Sequence, residues 1–279
     1  MVAVDPSLIS APSAKKLSER IQRSGGAELL PLETNLVDLC WGSDRPDPPS
    51  NAVTTLLDKF SGKDVQAKLS ELRRELAKKN SMGFVVSALD EVAWLFNLRG
   101  SDIPYNPVFF SYAIVTPTTA TLYINKQQLG ANTLAYLESN GVLIKPYSDL
   151  FTDVRKLCDA AKPQETAPGS PRPRFHISTK ASWALKLALG GDENVEEVRS
   201  PISDAKAIKN DTEMDGMRAC HVRDGAALIE FFAWLEDQLV DQKAVLDEVD
   251  AADKLEELRR RQRDYVGLSF STISSTGAK

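Results

Sequence analysis

The sequence predicts an α/β protein in which helices cover a mixed β-sheet and a purely helical segment follows. Three observations carry that expectation. Between about residues 51 and 200, short apolar runs of strand length alternate with stretches whose apolar residues recur at helical spacing. Two of those runs, VFFSYAIV and ATLYINK, are separated only by TPTT, which predicts a hairpin and so antiparallel pairing within the sheet. Beyond about residue 200 long helical patterns take over.

The elements follow in order. SAKKLSERIQRSG has Leu17 and Ile21 one turn apart and Gly25 as its stop, so a helix is expected there. AELLPL and NLVDLCW are short apolar pieces, and GSDRPDPPS is a linker rich in proline and turn formers. One helix and two such pieces cannot bury a core alone, so residues 1–50 read as the end of a domain. SGKDVQAKLSELRRELAKKN is an amphipathic helix with Val65, Leu69, Leu72 and Leu76 on one stripe. Ser61 followed by Asp64 resembles a capping box. GFVVSAL is a strand, and the VFFSYAIV–ATLYINK hairpin comes after it. ANTLAYLESNG is a helix ending at Gly141, VLIKPY a strand, and SDLFTDVRKLCDAAK a helix with Ser148 as its cap. PQETAPGSPRP is a loop, and RFHIS with KASWALKLAL adds a strand and a helix. Asp211 to Leu239 form one long helix, with Met217, His221, Leu228, Leu235, Phe231 and Phe232 on one side. DAADKLEELRRRQRDY is a charged helix carrying Leu255 and Leu258, and GLSFSTISSTGAK closes the chain with strand-like residues.

Composition narrows the function classes. A formal net charge of -5 over 279 residues argues against an electrostatic nucleic-acid binder. No apolar run is long enough to span a membrane, and MVAVDPSLIS has no secretory signal pattern. Cys40, Cys158 and Cys220 are odd in number and far apart, which suits free thiols in a reducing compartment and a cytoplasmic protein.

Candidate chemistry is sparse. His176 lies inside the apolar strand RFHIS and reads as a sheet histidine. His221 and Asp224 stand one turn apart, a spacing that suits a shared metal or a base with its orienting carboxylate. No third ligand and no GxSxG nucleophile turn is evident, so His221 is expected to be an interior, hydrogen-bonded helix residue. Asp247, Asp250 and Asp253 recur every three residues without the glycine or spacing of an EF-hand, and read as a solvated helix face. Asp90 and Glu91 read as a helix start, where carboxylates meet the positive end of the dipole. In RGSD, Gly100 would supply backbone freedom while Ser101 and Asp102 cap the turn.

Longer blocks point to a family. SALDEVAWLFNLRGSDIPYNPVFFSYAIV resembles the middle domain of the long, cytosolic, eukaryotic form of Xaa-Pro aminopeptidases. TNLVDLCWGSDRP and SPISDAKAIKNDTEMDGMRACHVRDGAALIEFFAWLE resemble the segments flanking it, and AADKLEELRRRQRDYVGLSFSTISSTG the opening of the catalytic domain. The likeness is collinear from about residue 27 to 277.

The resemblance implies three domains: two of the creatinase N-terminal type and a pita-bread domain holding two divalent metals, usually manganese. It implies hydrolysis of proline-containing peptides, with removal of the residue before proline, and it allows a homodimer. On this reading residues 1–50 are the tail of the first domain and its linker. Residues 51–200 are the creatinase N-terminal-type middle domain, and residues 201–279 the truncated start of the pita-bread domain. The family's DSG…DGTTD-like ligand stretch and its IIHY-like segment have no counterpart here. No residue of this sequence is therefore assigned as catalytic, substrate-binding or metal-ligating, no cofactor is expected in this chain, and the chain alone is expected to be inactive. Trp94 and Phe96 are expected to pack as scaffold. The alternative is a non-catalytic creatinase-type module acting in protein–protein interaction.

Overall fold

A computed structural model describes residues 2–160 and 172–275. The chain divides into two compact units. One holds residues 1–56, 63–102 and 108–208, and the other residues 57–62, 103–107 and 209–279.

In chain order, β1 (Val2–Val4) leads to α1 (Ala11–Arg23) and β2 (Leu29–Pro31), and the two strands pair in parallel. The Ser10 hydroxyl caps α1 by accepting from the Ser13 N–H, and Pro12 fits the first turn because its missing N–H would be unsatisfied there. The helix buries Ala11 and Ala14, while Leu17 and Ile21 are half-buried. α2 (Leu36–Trp41) is helical where only an apolar piece is legible, because the Asn35 side chain accepts from the Val37 and Asp38 N–H groups.

β3 (Thr54–Thr55) and α3 (Asp58–Ser61) precede α4 (Val65–Lys78). Asp64 caps α4, accepting from the Ala67 N–H at 2.7 Å. The expected cap at Ser61 is thus corrected: Ser61 closes α3, and Gly62 turns the chain at φ +61° between the two helices. Val65, Leu69, Leu72 and Leu76 are all buried, as their spacing predicts.

Next come β4 (Ser81–Val86), α5 (Leu89–Leu95), β5 (Leu98–Arg99), β6 (Ser111–Val115) and β7 (Ala120–Ile124). α6 (Ala131–Ser139), β8 (Val142–Lys145), α7 (Leu150–Ala160), β9 (Arg174–Ser178), α8 (Trp183–Ala188), β10 (Val195–Val198) and α9 (Pro201–Ala207) complete the unit. β3 pairs with β5. The six-stranded sheet runs β10-β9-β4-β6-β7-β8. β6 and β7 form the expected hairpin, in register from Ser111 opposite Ile124 to Val115 opposite Ala120, and β4 pairs antiparallel with β6. The pairs β4–β9, β9–β10 and β7–β8 are parallel, so the sheet is mixed. Alternation along β4 sends Phe84 and Val86 to one core, with α4, α5 and α6, and Val85 to the other, with α7 and α8. Backbone bonds from Ala11 N–H to Ala181, Trp183 N–H to Ile9 and Ala184 N–H to Pro6 attach the first helix to α8 and the turn before it.

Two further expectations need correction. A 3₁₀ turn at Tyr147–Asp149 starts α7, so Ser148 lies within the turn, its hydroxyl on Asp149, and is not the cap. β1 and β10 were not legible. PQETAPGSPRP lies mostly outside the described residues.

In the second unit, α10 (Asp211–Glu236) passes through a π-helical turn at Asp237–Asp241 toward α11 (Glu248–Arg260). Asn210 and Glu213 form a reciprocal capping box at the start of α10. Ala227, Phe231, Leu255 and Leu258 make the small core, and Arg259 clasps Asp224 through two bonds, at 2.6 and 3.3 Å. The expected single face on α10 is only half right: Phe231 is buried, whereas Phe232 is 60% exposed and Met217 is also exposed. A 100° step per residue puts neighbours 231 and 232 on different sides. Among the described residues after Gly267 no strand forms, and Phe270 and Ile273 are exposed.

Candidate functional site

The stretch from Leu89 to Asp102 lies within the first unit. α5 opens with Asp90 and Glu91 in its first turn, as expected. Asp90 pairs with Lys206 of α9. Glu91 is buried and accepts from the Ser200 hydroxyl at 2.7 Å, and burial raises its carboxyl above the usual carboxylate range. Phe96 is fully buried. Trp94 packs against the same core, and the Lys68 ammonium lies 4.1 Å from its ring centroid. That ammonium also donates to the Trp94 carbonyl at 2.8 Å and to Asn97 Oδ1 at 2.5 Å, so a buried lysine is satisfied on several sides. Trp94 Nε1 is the one buried side-chain polar atom without a partner among the described residues.

Asp102 does something other than cap its own turn. It is 3% exposed, and its carboxylate accepts from the Asn51 N–H at 2.8 Å, the Phe110 N–H at 2.9 Å and the Gln128 amide at 2.9 Å. It therefore fastens three separate segments. Gly100 is also corrected. Its φ is not positive; a Cβ there would stand 2.8 Å from Phe109 Cβ, so the need is for close approach rather than backbone freedom.

Beside this stretch, α4, α5, β10 and α9 enclose a cleft of about 740 Å³. Trp94 and His176 both line it. His176 is a buried sheet histidine, as expected; its Nε2 lies 3.9 Å from Glu196, and burial holds its pKa below the usual histidine value.

The second unit corrects one expectation. His221 is exposed, not interior; its Nδ1 lies 2.8 Å from the Met217 carbonyl. Asp224 is taken by Arg259, so no His–Asp pair forms. Asp247 and Asp250 form the capping box of α11 and Asp253 is exposed, which accounts for the acidic run. Cys40, Cys158 and Cys220 are free thiols. Among the described residues no three His, Cys, Asp or Glu side chains converge as a metal site, so the donor set does not fit a di-metal centre. No described helix is long and apolar enough to cross a membrane.

A mixed six-stranded sheet covered on both faces, with a polar clamp at the hairpin, defines an α/β domain. Residues 44–213 match the creatinase/prolidase N-terminal domain, and the chain belongs to that family. Its relatives extend the likeness to the whole sequence. A probable Xaa-Pro aminopeptidase P from Colletotrichum graminicola is 63% identical over 278 residues, covering 100% of this chain and 45% of that protein. One from Chaetomium globosum is 64% identical, covering 99% and 44%. The crystal structure of X-prolyl aminopeptidase from Caenorhabditis elegans, described as a cytosolic enzyme with a di-nuclear active site, superposes with a TM-score of 0.89. It is 34% identical and covers 98% of this chain and 43% of that one. The chain thus spans a little under half the length of these relatives.

Proposed function

We propose that this chain is a scaffold portion of a di-metal Xaa-Pro aminopeptidase, an enzyme that removes the N-terminal residue preceding proline. The observation that carries this reading is the collinear likeness of the whole chain to proteins named for that activity. On this reading residues 1–50 close a first creatinase-type domain, 51–200 form the middle domain, and 201–279 begin the metal-binding domain. Two divalent metals would lower the pKa of water and polarise the carbonyl before proline. Among the described residues no convergent ligand set for such metals is found, and we read their part as structural: Asp102 and Lys68 hold the segment from Leu89 to Asp102. A cytoplasmic setting and a homodimer belong to the same proposal.

The test is direct. The purified chain, dialysed against manganese, should bind it without stoichiometry and should leave Xaa-Pro peptides intact. Close to two metal equivalents together with turnover would overturn the proposal. A non-catalytic interaction module is the second reading, favoured by α2, where Leu36, Val37, Leu39 and Trp41 are all exposed. A stable transcript with a true stop after Lys279 would favour it; coding sequence that resumes the family pattern downstream would remove it.

A further inference from the structure

Of the two histidines, His176 is the one inside the sheet, and its side chain is 3% exposed. It stands in β9 opposite Glu196 of β10. Arg174, two residues earlier in β9, projects to the same face. Glu196 therefore meets two nitrogen groups at once. Its Oε2 accepts from Arg174 Nη2 at 2.6 Å, and the same oxygen lies 3.9 Å from His176 Nε2. β10 is the end strand of the sheet and pairs with β9 alone, so it is the strand whose release breaks the fewest ladder bonds.

Most of what surrounds the ring opposes a proton on it. Burial does so first, and the positive charges of Lys79, just past α4, and of Arg174 add to it; Glu196 alone acts the other way. β4 carries no charged residue and sets Phe84 beside His176. The other charged groups lining the cleft that His176 borders are taken: Glu71 by Lys63 and Arg74, Glu75 by Lys78, Asp204 by Arg199, and Lys68 by the Trp94 carbonyl and Asn97.

We propose that His176 is an acid sensor built into the sheet: once it takes a proton from solvent, its imidazolium competes with Arg174 for the single Glu196 oxygen, and the β10 edge loosens. One carboxylate cannot fully satisfy two cations, and a buried charge left without its partner is costly. Opening β10 returns the ring and Glu196 to water. The folded state favours the neutral ring, so this contribution to stability is fully present above the ordinary histidine value. It is lost as pH falls through the lowered one.

The test follows the ring resonances of both histidines in the full chain by NMR from about pH 5 to about pH 8, with exposed His221 as the internal reference. His176 should titrate below His221. Arg174→Gln removes a competitor and a like charge and should raise the His176 midpoint. Glu196→Gln removes the one favourable charge and should lower it. Both side chains reach the surface, at 39% and 44% exposure, so neither substitution disturbs the core. Hydrogen exchange at each pH, corrected for its intrinsic rate, reads the consequence. Protection of β10 amides relative to β6 and β7 should fall with acid, by at most about tenfold per pH unit for one proton. The fall should be largest in Glu196→Gln and smallest in Arg174→Gln. The proposal is overturned if His176 titrates with His221, if the two variants do not move its midpoint in opposite directions, if β10 protection ignores acid, or if the loss spreads equally over the sheet.

Discussion

Asp102 and Glu91 are both buried carboxylates, and their surroundings give them opposite tasks. Asp102 accepts from two backbone N–H groups and an amide. Asp102→Ala leaves those donors unpaired, at about 1–3 kcal/mol for a buried unsatisfied group. A loss of about 3 kcal/mol is expected in urea unfolding; one below about 1 kcal/mol would mean that water replaces the carboxylate. Glu91 has one hydroxyl donor and a raised pKa caused first by burial. The folded state therefore favours its protonated form. That contribution is fully present below the ordinary glutamate value and is lost as pH rises through the raised one. Glu91→Gln should remove this dependence, so the variant gains on wild type as pH rises above the ordinary glutamate value, in denaturant titrations at each pH over that interval. A constant difference over that interval would show that Glu91 titrates alike folded and unfolded. Asp90 and Glu91 were legible as a helix start; that Glu91 would be buried against Ser200, 109 residues away, was not.

Helices were the most legible elements, because period and capping are local. The α4 stripe packs as its spacing predicts. Leu72→Ala should cost about 3 kcal/mol through lost burial and the cavity left behind, read by chemical denaturation; a value under about 1 kcal/mol would mean the site collapses to fill it. Gly62 shows the limit of local reading. At φ +61° a side chain is strained, and a Cβ would stand 2.6 Å from Asn210 Oδ1 and from Thr212 Cβ. Gly62→Ala should therefore destabilise the second unit by about 1–3 kcal/mol, visible as earlier loss of α10 protection; unchanged protection would refute the packing. Strand β10, by contrast, reads Val-Glu-Glu-Val, with neither alternation nor an apolar run, and becomes a strand through its parallel partner β9.

At the scale of the molecule, the two units differ in how much apolar surface they bury. The first has two extended cores on the two faces of its sheet. Among its described residues the second has four buried apolar ones, while Val222, Ile229 and Phe232 remain exposed along α10. Local stability follows burial. Amides from 214 to 236 should exchange faster than those of β4, β6 and β9, and the chain should self-associate with concentration through the exposed α10 residues. A monomer with strong protection across 214–236 would count against both.

The sequence by itself determined the longer helices, the β6–β7 hairpin and the likeness to Xaa-Pro aminopeptidases, since each is written in local spacing or contiguous blocks. Only the tertiary structure decided that Asp102 clamps three segments and that Asp224 belongs to Arg259 and leaves His221 to solvent. Those outcomes depend on partners far apart in the chain, and one-dimensional spacing carries no information on which distant donor reaches a carboxylate first.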